Sequence, residues 1–138
     1  MGNQAVITTA PYKPGNVGIY VHWNGGRASI EGFLRAAKEL GYRPPQTDSS
    51  YALAGLAGLI WSYIGTDGTS VGVGLCKDLD CDNGDNGTYL IGGDWEIVGR
   101  KFHEGPEEIN EAKTAAIAKC LKVKAKAAAD AQIEEKQV

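Results

Sequence analysis

A chain of 138 residues fits one sizeable hydrophobic core with room for an appended helix. Its formal charge of -3 excludes a general nucleic-acid binder, which needs a basic surface, but leaves room for a local basic pocket that takes a small anion. The opening Met1-Gly2-Asn3-Gln4 lacks the basic-then-apolar order of a secretory signal, and Ala52 to Ile64 is too short to span a bilayer. Cys76, Cys81 and Cys120 form no Cys-x-x-Cys pair and fit a reducing cytosol.

Ala5 to Thr9 reads as an edge strand, followed by a turn at Pro14-Gly15-Asn16. Gly18 to Trp23 is rich in β-branched and aromatic residues and reads as a second strand. Asn24-Gly25-Gly26 then offers positive φ angles for a sharp reversal. Ser29 is the expected N-cap of a helix running to Leu40, with Gly41 as its stop and Pro44-Pro45 beyond. Asp48-Ser49 caps a second helix, Ser50 to Ile64, closed by Gly65. Its apolar positions run nearly all the way round, so burial is expected, with Tyr51, Trp61 and Tyr63 as a possible aromatic face.

A turn is expected at Thr66-Asp67-Gly68-Thr69, then a strand from Ser70 to Cys76 whose Gly72 and Gly74 leave one face bare. The acidic stretch Asp78 to Gly87 joins it to strands at Thr88–Ile91 and Trp95–Val98, with Gly92-Gly93-Asp94 as a hairpin turn. The expected fold is α+β: an antiparallel β meander packed with two central helices, plus a C-terminal helix. Residues 1–105 form the expected ligand-binding domain. Residues 106–138 form the helix, with Glu107-Glu108 at its start and an apolar stripe of Ile109, Ala112, Ala116, Cys120 and Val123 flanked by Ile117 and Leu121. So polar a helix should dock on the domain or mediate oligomerisation.

The chemistry concentrates in two places. A glycine turn feeding a helix N-terminus exposes backbone amides to an anion, and Arg27 adds charge there, with His22 and Trp23 alongside. No Walker-type or dinucleotide glycine fingerprint is present, so ordinary helix capping explains the turn as well. Arg27, Arg43 and Arg100-Lys101 are the cations from which a phosphate clamp could be built, Arg43 reading best as ordinary surface charge.

In the acidic stretch, Asp78, Asp80 and Asp82 match the first calcium-ligand positions of an EF-hand. Asn83 then stands at its glycine position and Tyr89 at its glutamate position, so the match fails. A solvated hairpin loop is the plain reading; a second is that Asn83 or Asn86 reads a base or ribose. Cys76, Cys81 and His103 match no zinc spacing. No cofactor, metal or catalytic constellation is assigned, since His22 beside Trp23 reads better as a structural or stacking residue than as a base.

The runs Val17-Gly-Ile-Tyr-Val-His-Trp-Asn-Gly-Gly-Arg27 and Leu79-Asp-Cys-Asp-Asn-Gly-Asp-Asn-Gly-Thr-Tyr89 resemble the Thoeris anti-defence sponge family of the first type, carried by phages and prophages. The resemblance covers residues 17–102. It implies a non-enzymatic sponge in the host cytoplasm that sequesters cyclic ADP-ribose signals made by bacterial TIR enzymes, with some relatives also taking cyclic oligonucleotides. It implies homo-oligomers and neither DNA, RNA nor membrane as partner. Arg27 and Arg100 are then the expected phosphate contacts, with Asn24 beside Arg27. Asn83, and secondly Asn86, are expected at the ribose or base. Val73 and Leu75 stand where an aromatic partner is expected, leaving Trp23 and Tyr89 as alternatives. A hydrolase of the same signal and a non-catalytic protein-interaction module are the rival readings.

Overall fold

The computed structural model describes residues 2–65 and 70–136; the turn expected at 66–69 lies outside them. Five strands form one sheet: β1 (Ala5–Thr9), β2 (Val17–Val21), β3 (Val71–Leu75), β4 (Thr88–Ile91) and β5 (Ile97–Lys101). Helices α1 (Arg27–Glu39) and α2 (Ser49–Ile64) lie between β2 and β3, and α3 (Glu111–Lys136) follows β5. The fold is α+β.

The sheet is mixed, and this corrects the expected meander. Its order is β3-β2-β1-β4-β5, with β1 and β4 parallel and every other pair antiparallel. The acidic stretch therefore does not turn a hairpin. It carries the chain from one side of the β1–β2 pair to the other, across the sheet face away from the helices. There Cys76 and Cys81 pack with Val6, Tyr12, Tyr20 and Leu79. Leu79 also sits over Gly18 and Gly74, so the face bared by glycine is partly filled by this crossing. β1 is the central strand rather than an edge, and its first four residues are wholly buried. Burial on both faces gives a continuous run without the alternation of a half-exposed strand, so the sequence does not mark its place in the sheet. β5 begins at Ile97 because Trp95 adopts a positive φ of 65° in the turn and buries its ring, with Nε1 donating to the Tyr42 carbonyl at 3.3 Å.

On the helix side, Ala5, Ile7, Ile19, Val21, Tyr89 and Ile91 meet Ile30, Phe33, Leu34, Leu56 and Ile60. Helix α1 starts three residues earlier than its sequence suggests, with Gly26 rather than Ser29 at the N-cap and Ser29 buried inside the first turn. The positive φ in the preceding turn falls on Asn24 (61°), not on its glycines. The helix ends in a Schellman motif: Gly41 (φ 77°) donates to Lys38 and Tyr42 donates to Ala37. Asp48 caps α2 by accepting from Ser50 and Tyr51 at 2.9 and 3.3 Å. That helix is not buried all round: Tyr51 and Trp61 are exposed on its outer side, while Gly55 faces the Tyr42 ring.

Helix α3 begins after Asn110, whose side chain accepts from the Lys113 N–H at 3.1 Å. Glu107 and Glu108 therefore precede the helix instead of starting it. The buried face of α3 is Thr114, Ile117, Ala118 and Leu121, whereas Ile109 and Val123 of the expected stripe are exposed. In so alanine-rich a helix several stripes look alike, and the shape of α1 decides between them. Gly32 lets the Ile117 side chain approach so closely that a β-carbon there would stand 2.8 Å from it. Thr114 completes the seam by donating to the Ala28 carbonyl at 2.9 Å. No helix among the described residues is long and apolar enough to cross a membrane.

Candidate functional site

The start of α1, the β4–β5 pair and the irregular segment 102–110 meet at one corner of the sheet. Tyr89 and Arg100 are cross-strand partners and so point to the same, helix-side face. The Tyr89 ring is fully buried, and its hydroxyl donates to the Gly25 carbonyl at 2.7 Å, tying β4 to the turn before α1. Burial pushes this phenol up to about 12, so it stays protonated as a donor. The Arg100 guanidinium lies on the ring, 3.9 Å from its centroid. Tyr89 is thus a platform for arginine and has no free face for a ligand.

Arg100 is itself only 9% exposed. Its Nη2 donates to the Asn86 carbonyl at 2.5 Å and its Nη1 to Glu107 Oε2 at 2.6 Å, while Nε is buried with no hydrogen-bond partner among the described residues. Arg27, in the first turn of α1, bonds Glu31 through Nε at 3.0 Å and reaches the same Glu107 Oε2 through Nη1 at 3.1 Å. One carboxylate oxygen therefore bridges both guanidinium groups. Burial alone would push the Glu107 carboxyl up. The hydrogen bond from Arg27 and the positive charges of Arg100 and Arg27 outweigh it and hold the carboxyl below its usual range.

Around this cluster is a hollow of about 280 Å³ lined by Gly26, Arg27, Asn86, Tyr89, Arg100 and residues 103–108. A second hollow of about 230 Å³ adjoins it, sharing Gly26, Arg27, Asn86 and Glu108 and adding Asn3, Asn110 and Lys113. Gly26 caps α1 without any side-chain hydrogen bond, so the helix presents its positive end to the cleft through backbone alone.

Of the residues singled out in the sequence, the structure brings Arg27, Asn86, Tyr89 and Arg100 together here. Trp23 does not line the cleft; it is 46% exposed and packs edge-on against His22. Asn24 also lies outside the lining, with its amide 3.5 Å from the Ser29 hydroxyl. Asn83 is committed to its own loop. Its Nδ2 donates to the carbonyls of Asp80 and Gly87, and its Oδ1 accepts from the amides of Asp85 and Gly87. Both Nδ2 protons of Asn86 are likewise used, on Asn3 Oδ1 and the Gln4 carbonyl. Arg43 stacks on Tyr51, 4.3 Å from the ring centroid, away from the cleft. His103 lines the cleft, whereas Cys76 and Cys81 are buried on the opposite sheet face. Among the described residues no three acidic, histidine or cysteine side chains converge to hold a metal ion.

Sequence reasoning missed Glu107, the residue that joins the two arginines, because a Glu-Glu pair after Gly-Pro looks like a helix start. The better signal is Asn110, which is the better cap and leaves Glu107 outside the helix.

Neither the family models, nor the curated proteins, nor the solved structures include a match to this chain.

Proposed function

We propose that this chain binds a cyclic nucleotide signal, an isomer of cyclic ADP-ribose, and sequesters it without cleaving it, as an anti-defence protein of phage origin acting in the bacterial host cytoplasm. The observation that carries the reading is the convergence of Arg27 and Arg100 on a single anionic oxygen in an open cleft. Two guanidinium groups that already share one carboxylate oxygen are spaced to share a phosphate oxygen, and charge-assisted bonds of this kind are among the strongest available for anion capture.

The second support is that both sequence runs behind the family resemblance contribute to the same cleft: Gly26 and Arg27 from the first, Asn86 and Tyr89 from the second. In this reading the arginines and the α1 amide end hold the phosphates. The Asn86 amide oxygen accepts from a ribose hydroxyl, and His103 offers a flat surface to the base. The two adjoining hollows together reach the lower range of volumes for small-molecule sites. Self-association of the chain belongs to the same proposal.

The decisive experiment incubates the protein with glycocyclic ADP-ribose, measures the free ligand, then heats the sample and chromatographs the supernatant. Depletion followed by release of intact ligand is the expected result. Release of an altered product would make the cleft catalytic, with His103 and Glu104 as its first acid–base candidates. No depletion would end the nucleotide reading.

A further inference from the structure

We infer that Glu107 is a built-in competing anion, and that the segment 102–110 is a strap the ligand's phosphate must displace to engage Arg27 and Arg100 together. This deepens the nucleotide reading and rests on it for the identity of the natural ligand, though not for the anion chemistry.

Each arginine spends one nitrogen on a structural partner, Glu31 for Arg27 and the Asn86 carbonyl for Arg100. Each then gives its Nη1 to Glu107 Oε2. The converging donors, where an incoming anion would gain most, are already occupied by the chain's own carboxylate. Arg100 is nevertheless incompletely served. It is more than nine-tenths buried in the cleft, and its Nε has no partner among the described residues. A cleft closed for structural reasons alone would be expected to satisfy so deeply buried a donor.

The strap carrying Glu107 is weakly tied elsewhere. Among the described residues, positions 103 to 109 make no backbone–backbone hydrogen bond, and their side-chain bonds and ion pairs are those of Glu107 alone. Gly105 sits at φ 120°, and Pro106 has no N–H to donate. The ends are firm, with β5 on one side and Glu111 paired to Arg35 on the other. Release of Glu107 therefore needs only local movement of an exposed loop.

The arrangement also sets selectivity. A carboxylate on a short tether competes at an effective concentration of order millimolar, so a singly charged anion in solution displaces it poorly. A phosphate ester or pyrophosphate, with more charge and more acceptor oxygens, displaces it better. The strap thus filters for multiply charged phosphates.

The test is calorimetric titration of the full chain with inorganic pyrophosphate, comparing wild type, Glu107→Gln, Glu108→Gln and Glu107→Gln combined with Arg27→Ala. Glu108 also lines the cleft but pairs with neither arginine, so its variant reports the bulk effect of removing one negative charge. Glu107→Gln is expected to tighten pyrophosphate binding about tenfold or more and Glu108→Gln less than about threefold, with the gain lost when Arg27 is also removed. Equal effects of the two glutamine variants, or no binding by any of them, would overturn the inference. Repeating the series with glycocyclic ADP-ribose separates the two ideas. A pyrophosphate gain with no nucleotide binding leaves the strap standing and removes the nucleotide, whereas tight nucleotide binding with no Glu107→Gln gain for either ligand removes the strap alone.

Discussion

The Arg100 guanidinium rests 3.9 Å from the centroid of the buried Tyr89 ring, and the same tyrosine donates its hydroxyl to the Gly25 carbonyl. One side chain thus positions a cleft arginine and secures the turn that opens α1. The two roles can be separated. Tyr89→Phe keeps the platform but leaves a buried carbonyl unpaired, and should cost about 1–3 kcal/mol in urea denaturation with ligand affinity nearly intact. Tyr89→Leu removes the ring face as well, and should lose a further ~0.5–2 kcal/mol of arginine–aromatic attraction together with affinity. Equal ligand affinity in the two variants would deny the platform its role.

The two arginines should fail differently. Arg27 reaches the cleft from a helix surface, so Arg27→Ala should keep the fold and weaken ligand binding about tenfold or more in calorimetry. Arg100 is a buried fork bonding Asn86 with one arm and Glu107 with the other. Arg100→Lys keeps the charge but has no fork, so it should lower both stability and affinity. A lysine variant indistinguishable from wild type in both measurements would reduce Arg100 to a simple point charge.

What could be read from the residues was mostly local. Asp48 and Gly41 mark helix ends by chemistry that acts over a few residues, and both do so in the structure. Residue type makes Arg27, Arg43 and Arg100 candidate anion contacts, the family resemblance selects Arg27 and Arg100, and the fold brings those two to one cleft. What could not be read depends on partners distant in sequence. That β1 is central and parallel to β4 depends on the stretch after β3 crossing the sheet to β1's far side, which a short apolar run does not announce. The buried face of α3 is chosen by a glycine in α1. Asn83 looks like a ligand reader, and only the loop's own geometry reveals that its amide is fully spent on backbone.

The Glu107 contacts make a pH-dependent contribution with a definite sign. Its carboxyl titrates below the ordinary 4.5 in the folded chain because two arginines favour its charged form over the opposing effect of burial. The stabilisation is therefore fully present above the unfolded value and is lost as pH falls through the lower, folded value. Thermal unfolding should show wild type more stable than Glu107→Gln at neutral pH, with the gap closing only on acidification below pH 4.5. A gap that persists unchanged into strong acid would mean that the carboxylate charge is not its source.

Two helix glycines give opposite expectations for the same substitution. At Gly58 a β-carbon meets nothing within 4 Å, so Gly58→Ala should stabilise the chain by about 0.5–1 kcal/mol through helix propensity. At Gly32 the new carbon would lie 2.8 Å from Ile117 Cβ and 3.1 Å from the Thr114 carbonyl. Neither is the mobile end of a side chain, so α3 itself must shift. Gly32→Ala should be net destabilising by about 1–3 kcal/mol despite the same propensity gain. Urea midpoints moving in the same direction for both variants would contradict the close α1–α3 seam.

The same seam divides α3 into two parts with separable consequences. Thr114, Ile117, Ala118 and Leu121 are buried, and the first half of the helix covers α1. The half beyond Lys124 carries no fully buried side chain among its described residues and displays Ile133 at 54% exposure, with Val123 at 60% just before it. A chain ending at Gly105 strips the outer face of α1 and should lose cooperative unfolding altogether, since each large side chain removed from such a core costs about 2–5 kcal/mol. A chain ending at Ala129 keeps the seam and should retain its circular-dichroism signature and a cooperative melt. If the proposed self-association runs through the outer half of α3, this shorter chain should show a lower mass than the full chain by light scattering. Equal masses would place any self-association elsewhere. A molten Ala129 chain would mean that the exposed turns stabilise the fold in a way their burial does not indicate.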